Sequence, residues 1–104
     1  NWASFNDVGL PNIPDYSSKN GHLFYLVCRS IMQRDEIMAK LKSKGIQAVF
    51  HYLSLHKSRY YKEIHGDREL PNADRYSDTL LRLPLYYELS IEDVEMIIDV
   101  ITSN

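Results

Sequence analysis

One cysteine, no apolar run long enough to span a bilayer, no surplus of either charge and no glycine-rich phosphate loop: each of these absences removes a class of protein. A lone thiol can neither staple a small fold nor complete a thiolate metal site. Cys28 lies in the apolar run that begins at Leu23, which marks it as a small buried hydrophobe. Twelve basic side chains face fourteen acidic ones, a net charge of −2 with both signs interspersed. That balance lacks the electrostatic footprint of a nucleic-acid binder and gives no hold on an anionic membrane. The beginning of the chain has no basic region followed by an apolar one, so the expected location is cytoplasmic. At 104 residues the chain is one domain's worth. Such a chain buries only about two-thirds of its unfolded surface, so further burial against a partner would help it.

What is present falls into a readable order. Residues 1–21 hold Gly9, Pro11, Pro14 and a polar run ending at Gly21, a connector composition, although Trp2, Phe5 and Leu10 imply that the connector packs along something. The aromatic and branched run 22–28 predicts a central strand buried on both faces. A helix is predicted over 34–44, with Ile37, Met38 and Leu41 on one face, Asp35 and Glu36 in its first turn, Lys40, Lys42 and Lys44 in its last, and Gly45 as its left-handed cap. A second strand over 46–52 places Ile46, Ala48 and Phe50 on one face and Gln47, Val49 and His51 on the other. The polar segment 53–70 reads as a long loop of the kind that carries function. Pro71 opens a helix to about residue 81, the Leu83-Pro84-Leu85 run reads as an edge strand, and Ser90 caps a last helix. In that helix Asp93 completes a capping box, Leu89 staples against Val94, and Val94, Ile97, Ile98 and Ile101 form the buried stripe. The expected fold is α+β: a small three-stranded sheet covered by helices.

Chemistry concentrates in Val49-Phe50-His51-Tyr52-Leu53-Ser54-Leu55-His56, where an apolar strand runs out into a loop. His51 and His56 match no recognised metal spacing, and a third ligand, His22 or His65, would have to be brought in by the fold, so a hydrogen-bonding role towards a ligand is the better reading. With Tyr52, Tyr60 and Tyr61 nearby, the loop suits a concave aromatic and polar lining, and packing with a polar tip is the bland alternative. Ser54 has no glycine-flanked elbow, and Lys40, Lys42, Lys44, Lys57 and Lys62 suit solvated faces rather than an amine of depressed pKa. On its residues alone the chain is not a complete enzyme.

Asn20-Gly21-His22-Leu23-Phe24-Tyr25, the Gly45-Ile46 turn, the Val49-to-His56 motif and Leu80-Leu81-Arg82-Leu83-Pro84-Leu85-Tyr86, taken in order, resemble the C-terminal part of the DegT/DnrJ/StrS sugar aminotransferases. The nearest resemblance is to members acting on a dTDP-linked 4-keto-6-deoxyglucose, and it runs from about His22 to Ile101. It implies the C-terminal small domain (22–104) of a fold type I, aspartate-aminotransferase-like enzyme, with 1–21 as the connector from a large domain. It also implies pyridoxal 5'-phosphate held by that large domain, an amino group taken typically from glutamate, a nucleotide-sugar substrate and a homodimer. The Schiff-base lysine of such enzymes belongs to the large domain, so the resemblance implies that this stretch is inactive alone. Carried over by position, His51, Tyr52, His56 and Tyr60 are the expected substrate-binding residues, and His22 is the family's strand-opening histidine. Proline commonly stands at Ser54 and near Arg59, so the loop departs from the family pattern there.

Two other classes compete. A free-standing ferredoxin-like ligand-binding or regulatory module would use a similar order of strands and helices. A single-stranded RNA platform could use Phe24 and Tyr25, but the charge balance opposes it.

Overall fold

The computed structural model describes residues 8–103. Trp2 and Phe5 of the connector lie outside them. The chain forms β1 (Phe24–Val27), α1 (Ile31–Ser43), β2 (Val49–Phe50), a single 3-10 turn (Leu55–Lys57), α2 (Arg59–His65), α3 (Pro71–Thr79), β3 (Leu80–Leu83) and α4 (Ile91–Thr102). The strands make one antiparallel sheet in the order β1-β3-β2. The α+β architecture with a small three-stranded sheet is therefore the one expected.

The roles of two strands are exchanged relative to the sequence reading. β3 is central and 22–28 supplies an edge strand, β1. Leu80, Leu81, Arg82 and Leu83 all keep their N–H groups and can pair on both sides, whereas Pro84 has none to donate and ends the strand. Helix α3 stops at Thr79, earlier than expected, because Leu80 is already extended (φ −82°, ψ 127°). The Thr79 carbonyl accepts from the Cys28 N–H at 2.8 Å, tying the helix end to the end of β1. β1 is also not enclosed on both faces: Leu26 is buried, but Tyr25 and Val27 are half-buried. On its outer edge Gly9 exchanges two backbone bonds with Val27, 2.8 and 2.9 Å, so the end of the connector covers part of that edge.

Helix α1 begins three residues before the predicted start because Ser30 is an N-cap, its hydroxyl accepting from the Gln33 N–H at 3.2 Å. Asp35 and Glu36 consequently fall beyond the first turn, while Lys40 and Lys42 occupy the last as expected. The helix closes in a Schellman motif: the Gly45 N–H reaches the Lys42 carbonyl (3.0 Å) and the Ile46 N–H reaches Leu41 (2.9 Å). Gly45 adopts φ 75°, and Leu41 and Ile46 both lie in the core. β2 is reduced to two paired residues, yet the expected facing holds, since Ile46 is buried and Ala48 packs against the core. In α4 the capping box forms, with Asp93 N–H donating to Ser90 Oγ at 3.0 Å and Ser90 N–H to Asp93 Oδ2 at 3.4 Å. Ile97 and Ile101 are its buried residues, and Leu89 and Val94 line one apolar recess.

The core lies between one face of the sheet and helices α1 and α4, which pack on each other. Leu26, Leu41 and Leu81 are fully enclosed, each worth roughly 1.5–3 kcal/mol of transfer free energy. Register then divides the sheet. Leu26 stands opposite Leu81, and Leu81 opposite Phe50, on the helical face. Tyr25 and Val49 flank Arg82 on the other face, the open one, where all three keep part of their surface in solvent.

Candidate functional site

His51 follows β2 directly, so the alternation that sends Phe50 to the helical face sends His51 to the open one. Its ring meets Tyr52 edge-on, centroids 4.5 Å apart at 61°. Nδ1 is buried without a hydrogen-bond partner among the described residues, and Nε2 is the ring nitrogen that keeps contact with solvent. Tyr52 is 70 % exposed and Tyr60, on the first turn of α2, is 74 % exposed.

The loop after β2 is not the structureless excursion expected. It folds into the 3-10 turn and then α2, whose N-cap Ser58 accepts from the Tyr61 N–H at 3.2 Å. Three ties fasten it to α3. Ser54 Oγ donates to the Ala73 carbonyl (3.0 Å), Ser77 Oγ donates to the Tyr52 carbonyl (3.2 Å), and His56 packs on Asp74. Ser54, where the family pattern commonly has proline, thus replaces ring rigidity with a hydrogen bond across the loop. Arg59 is the first residue of α2, a position proline also favours, and its Nε bonds Glu63 at 2.7 Å one turn on.

His56 is only 3 % exposed, and its Nε2 lies 3.1 Å from Asp74 Oδ1, with Lys57 Nζ 2.9 Å from the same oxygen. The His56 ring is close to that oxygen but not aligned for a hydrogen bond, so it packs on the carboxyl group. The Lys57 ammonium, assisted by the His56 ring, holds the Asp74 carboxyl below the usual carboxylate range, and Asp74 in turn raises Lys57. His51, Tyr52, His56 and Tyr60 stand in different settings: His51 half-buried against Tyr52, the two tyrosines in solvent, and His56 enclosed. His22 is elsewhere. It precedes β1 beyond the Phe24–Leu83 pair, at the opposite end of the sheet from the Val27–Leu80 pair beside which His51 emerges. Among the described residues no three His, Cys, Asp or Glu side chains could share a metal ion.

Sequence reasoning missed Asp74 and Ser77 as partners of the loop. Their i,i+3 spacing on α3, polar in a helix whose other face must pack, was the available signal. Arg34 was missed as a clamp: its guanidinium donates to the Ser77 carbonyl at 3.1 Å and stacks 6.0 Å over the Phe50 ring, joining α1, α3 and β2. Cys28 is buried as expected, and burial pushes its thiol up to about 11.

The described lysines are paired, ring-stacked or exposed. Lys57 pairs with Asp74, Lys62 with Asp67 (2.9 Å) and Lys40 with Glu36 (3.6 Å), while Lys19 lies over Phe24 and Lys42 and Lys44 are exposed. A reactive amine needs a desolvated setting that lowers its pKa, and Lys57 is shifted the other way.

Comparison with known proteins decides the family. Residues 3–102 match the DegT/DnrJ/EryC1/StrS aminotransferase family. The chain belongs to that family. Among solved structures it is similar to S. venezuelae DesV, determined with a ketimine intermediate (26% identity, TM-score 0.85, covering 96% of this chain and 27% of that one). It is also similar to the aminotransferase TlmJ from Streptoalloteichus hindustanus (25%, TM-score 0.84, covering 95% and 26%). A third similarity is to the apo-form of Spr1654 from Streptococcus pneumoniae, described as a sugar aminotransferase (30%, TM-score 0.69, covering 77% and 21%), a protein also solved in a PLP-form. The chain spans about a quarter of the length of these structures. Its α+β fold is one that it shares with them. No helix among the described residues is long and apolar enough to cross a membrane.

Proposed function

We propose that this chain is the small domain, 22–104 with its connector 1–21, of a cytoplasmic pyridoxal-phosphate-dependent aminotransferase that is a homodimer when complete. The substrate class is a nucleotide-linked 4-keto-6-deoxy sugar, and the amino donor is glutamate. The cofactor supplies the electron sink from a large domain, and the part of the enzyme described above supplies shape and hydrogen bonds. The observation that carries this reading is the setting of His51 on a family-matched strand end. With Nδ1 enclosed and unpartnered, the neutral ring is best served by keeping Nδ1 unprotonated and the proton on the outward Nε2, which makes His51 a donor towards a sugar oxygen. Tyr52, edge-on to the ring, adds a phenol group and an apolar rim, and Tyr60 offers a second exposed phenol from α2. His56 acts from behind, holding the loop through Asp74 rather than touching substrate.

The full-length enzyme tests this. His51→Ala is expected to lower kcat/KM for the nucleotide sugar by about tenfold or more, the worth of one well-placed hydrogen bond, with cofactor occupancy unchanged. Unaltered steady-state kinetics would remove His51 from the pocket. The stretch alone, purified and mixed with pyridoxal phosphate, is expected to show no absorbance band of a lysine-bound cofactor and no transamination. A stable band of that kind would place a reactive amine within it.

A further inference from the structure

At the far end of the sheet from His51, where β3 finishes and the approaches to β1 and β2 converge, lies a cleft of about 450 Å³ that the reading above does not use. Arg82, His22, Gln47 and Tyr86 line it together with Val49. Arg82 is the informative residue. It interrupts an otherwise apolar strand, stands at the centre of the open face between Tyr25 and Val49, and is half-buried. Among the described residues its guanidinium has neither a hydrogen-bond acceptor nor an ion-pair partner. Arg34, by contrast, is fully engaged, with Asp35 at 2.8 Å and the Ser77 carbonyl at 3.1 Å.

A guanidinium that nothing among the described residues pairs keeps its donors free, and its planar fork of five donors matches a carboxylate or phosphate. The neighbouring polar groups are compatible with such a guest, since imidazole, amide and phenol can each donate. The carboxylate that also lines the cleft, Asp93, is occupied by the Ser90 hydroxyl at 2.8 Å in the α4 cap and forms no ion pair with Arg82. We infer that this cleft is an oxyanion-binding site in which Arg82 grips a phosphate or carboxylate group of a small molecule, on the same open face of the sheet as His51 but towards its other end. The inference does not depend on which sugar the enzyme aminates, nor on the role of His51.

The test is titration of inorganic phosphate and, separately, acetate into the intact protein at low ionic strength, followed through the Arg82 side-chain N–H resonance and by calorimetry. Saturable binding of one or both at up to tens of millimolar is expected, and which anion binds more tightly assigns phosphate or carboxylate as the guest. Arg82→Met is expected to weaken that binding by about tenfold, and Arg82→Lys by less because the charge survives without the fork. Absence of binding by both anions would overturn the inference and indicate that another part of the protein supplies the acceptor. Binding that is unchanged in both folded Arg82 variants would overturn it equally.

Discussion

The two faces of the three-stranded sheet are built from the same residues in alternation and do opposite work. On the helical face Leu26, Leu81 and Leu83 are enclosed by α1 and α4, whereas on the open face Tyr25, Arg82 and Val49 keep part of their surface and Arg82 keeps its donors. Leu81 and Arg82 are adjacent in sequence, as are Phe50 and His51, and in each pair one residue packs towards the helices while the next faces away. A step of one residue along a strand is a change of face, so stability and recognition can be assigned residue by residue. Substitution should separate them. Leu81→Ala removes a fully enclosed side chain from the central strand and is expected to cost 2–5 kcal/mol, measured by urea denaturation. Arg82→Met, one residue on, is expected to change stability by no more than about 0.5 kcal/mol, because nothing among the described residues pairs with the guanidinium. Comparable losses from the two would mean that the open face is also part of the fold's support.

A smaller effect tests how the two faces are kept in register. The Schellman turn delivers the chain from α1 to β2 and thereby decides that Ile46 and Phe50 face the helices while His51 does not. Gly45 holds φ 75° with open space where a Cβ would stand, so Gly45→Ala meets only backbone strain, about 1–2 kcal/mol. Its loss should appear as a lowered urea midpoint with an unchanged slope. No loss of stability would show that the turn accepts another conformation, and the facing of β2 would then need another explanation.

Local signals made much of this legible. The Ser90 and Asp93 capping box, the Gly45 turn and the facing of Ile46, Ala48 and Phe50 follow from spacing because each depends on neighbours a few residues away. The ordered motifs carried the family. Strand order did not follow, since 22–28 and 80–83 are both short apolar runs and only pairing between distant segments decides which is central. Pro84 drew the strand prediction towards itself, although its missing N–H is the reason the strand ends before it. The candidate site was legible in its members and not in their settings. His51 and His56 look alike in the motif, yet one stands at a strand end and the other is enclosed by α3, through an Asp74 that lies eighteen residues further along the chain.

The smallest expected effect concerns that enclosure and separates the loop's support from its exposed face. The Lys57 ammonium, together with His56, holds Asp74 below the ordinary carboxylate range, so the folded domain binds its proton less readily than the unfolded chain. The contribution of Asp74 is therefore present above the ordinary carboxylate pKa and is lost as pH falls through the depressed value. Lys57, raised by the same contact, contributes below the ordinary lysine pKa and loses its contribution as pH rises through the elevated one. Between these limits the pair is intact and the loop stays on α3. Because the contact is solvent-exposed on the Lys57 side, its share of stability is modest and salt-sensitive. Carbon-detected NMR titration of the Asp74 carboxyl is expected to give a midpoint below that of an unperturbed aspartate, and Lys57→Met should move it back up. A midpoint at the ordinary value in the unaltered protein would remove the electrostatic tie and leave Ser54 and Ser77 as what holds the loop to α3.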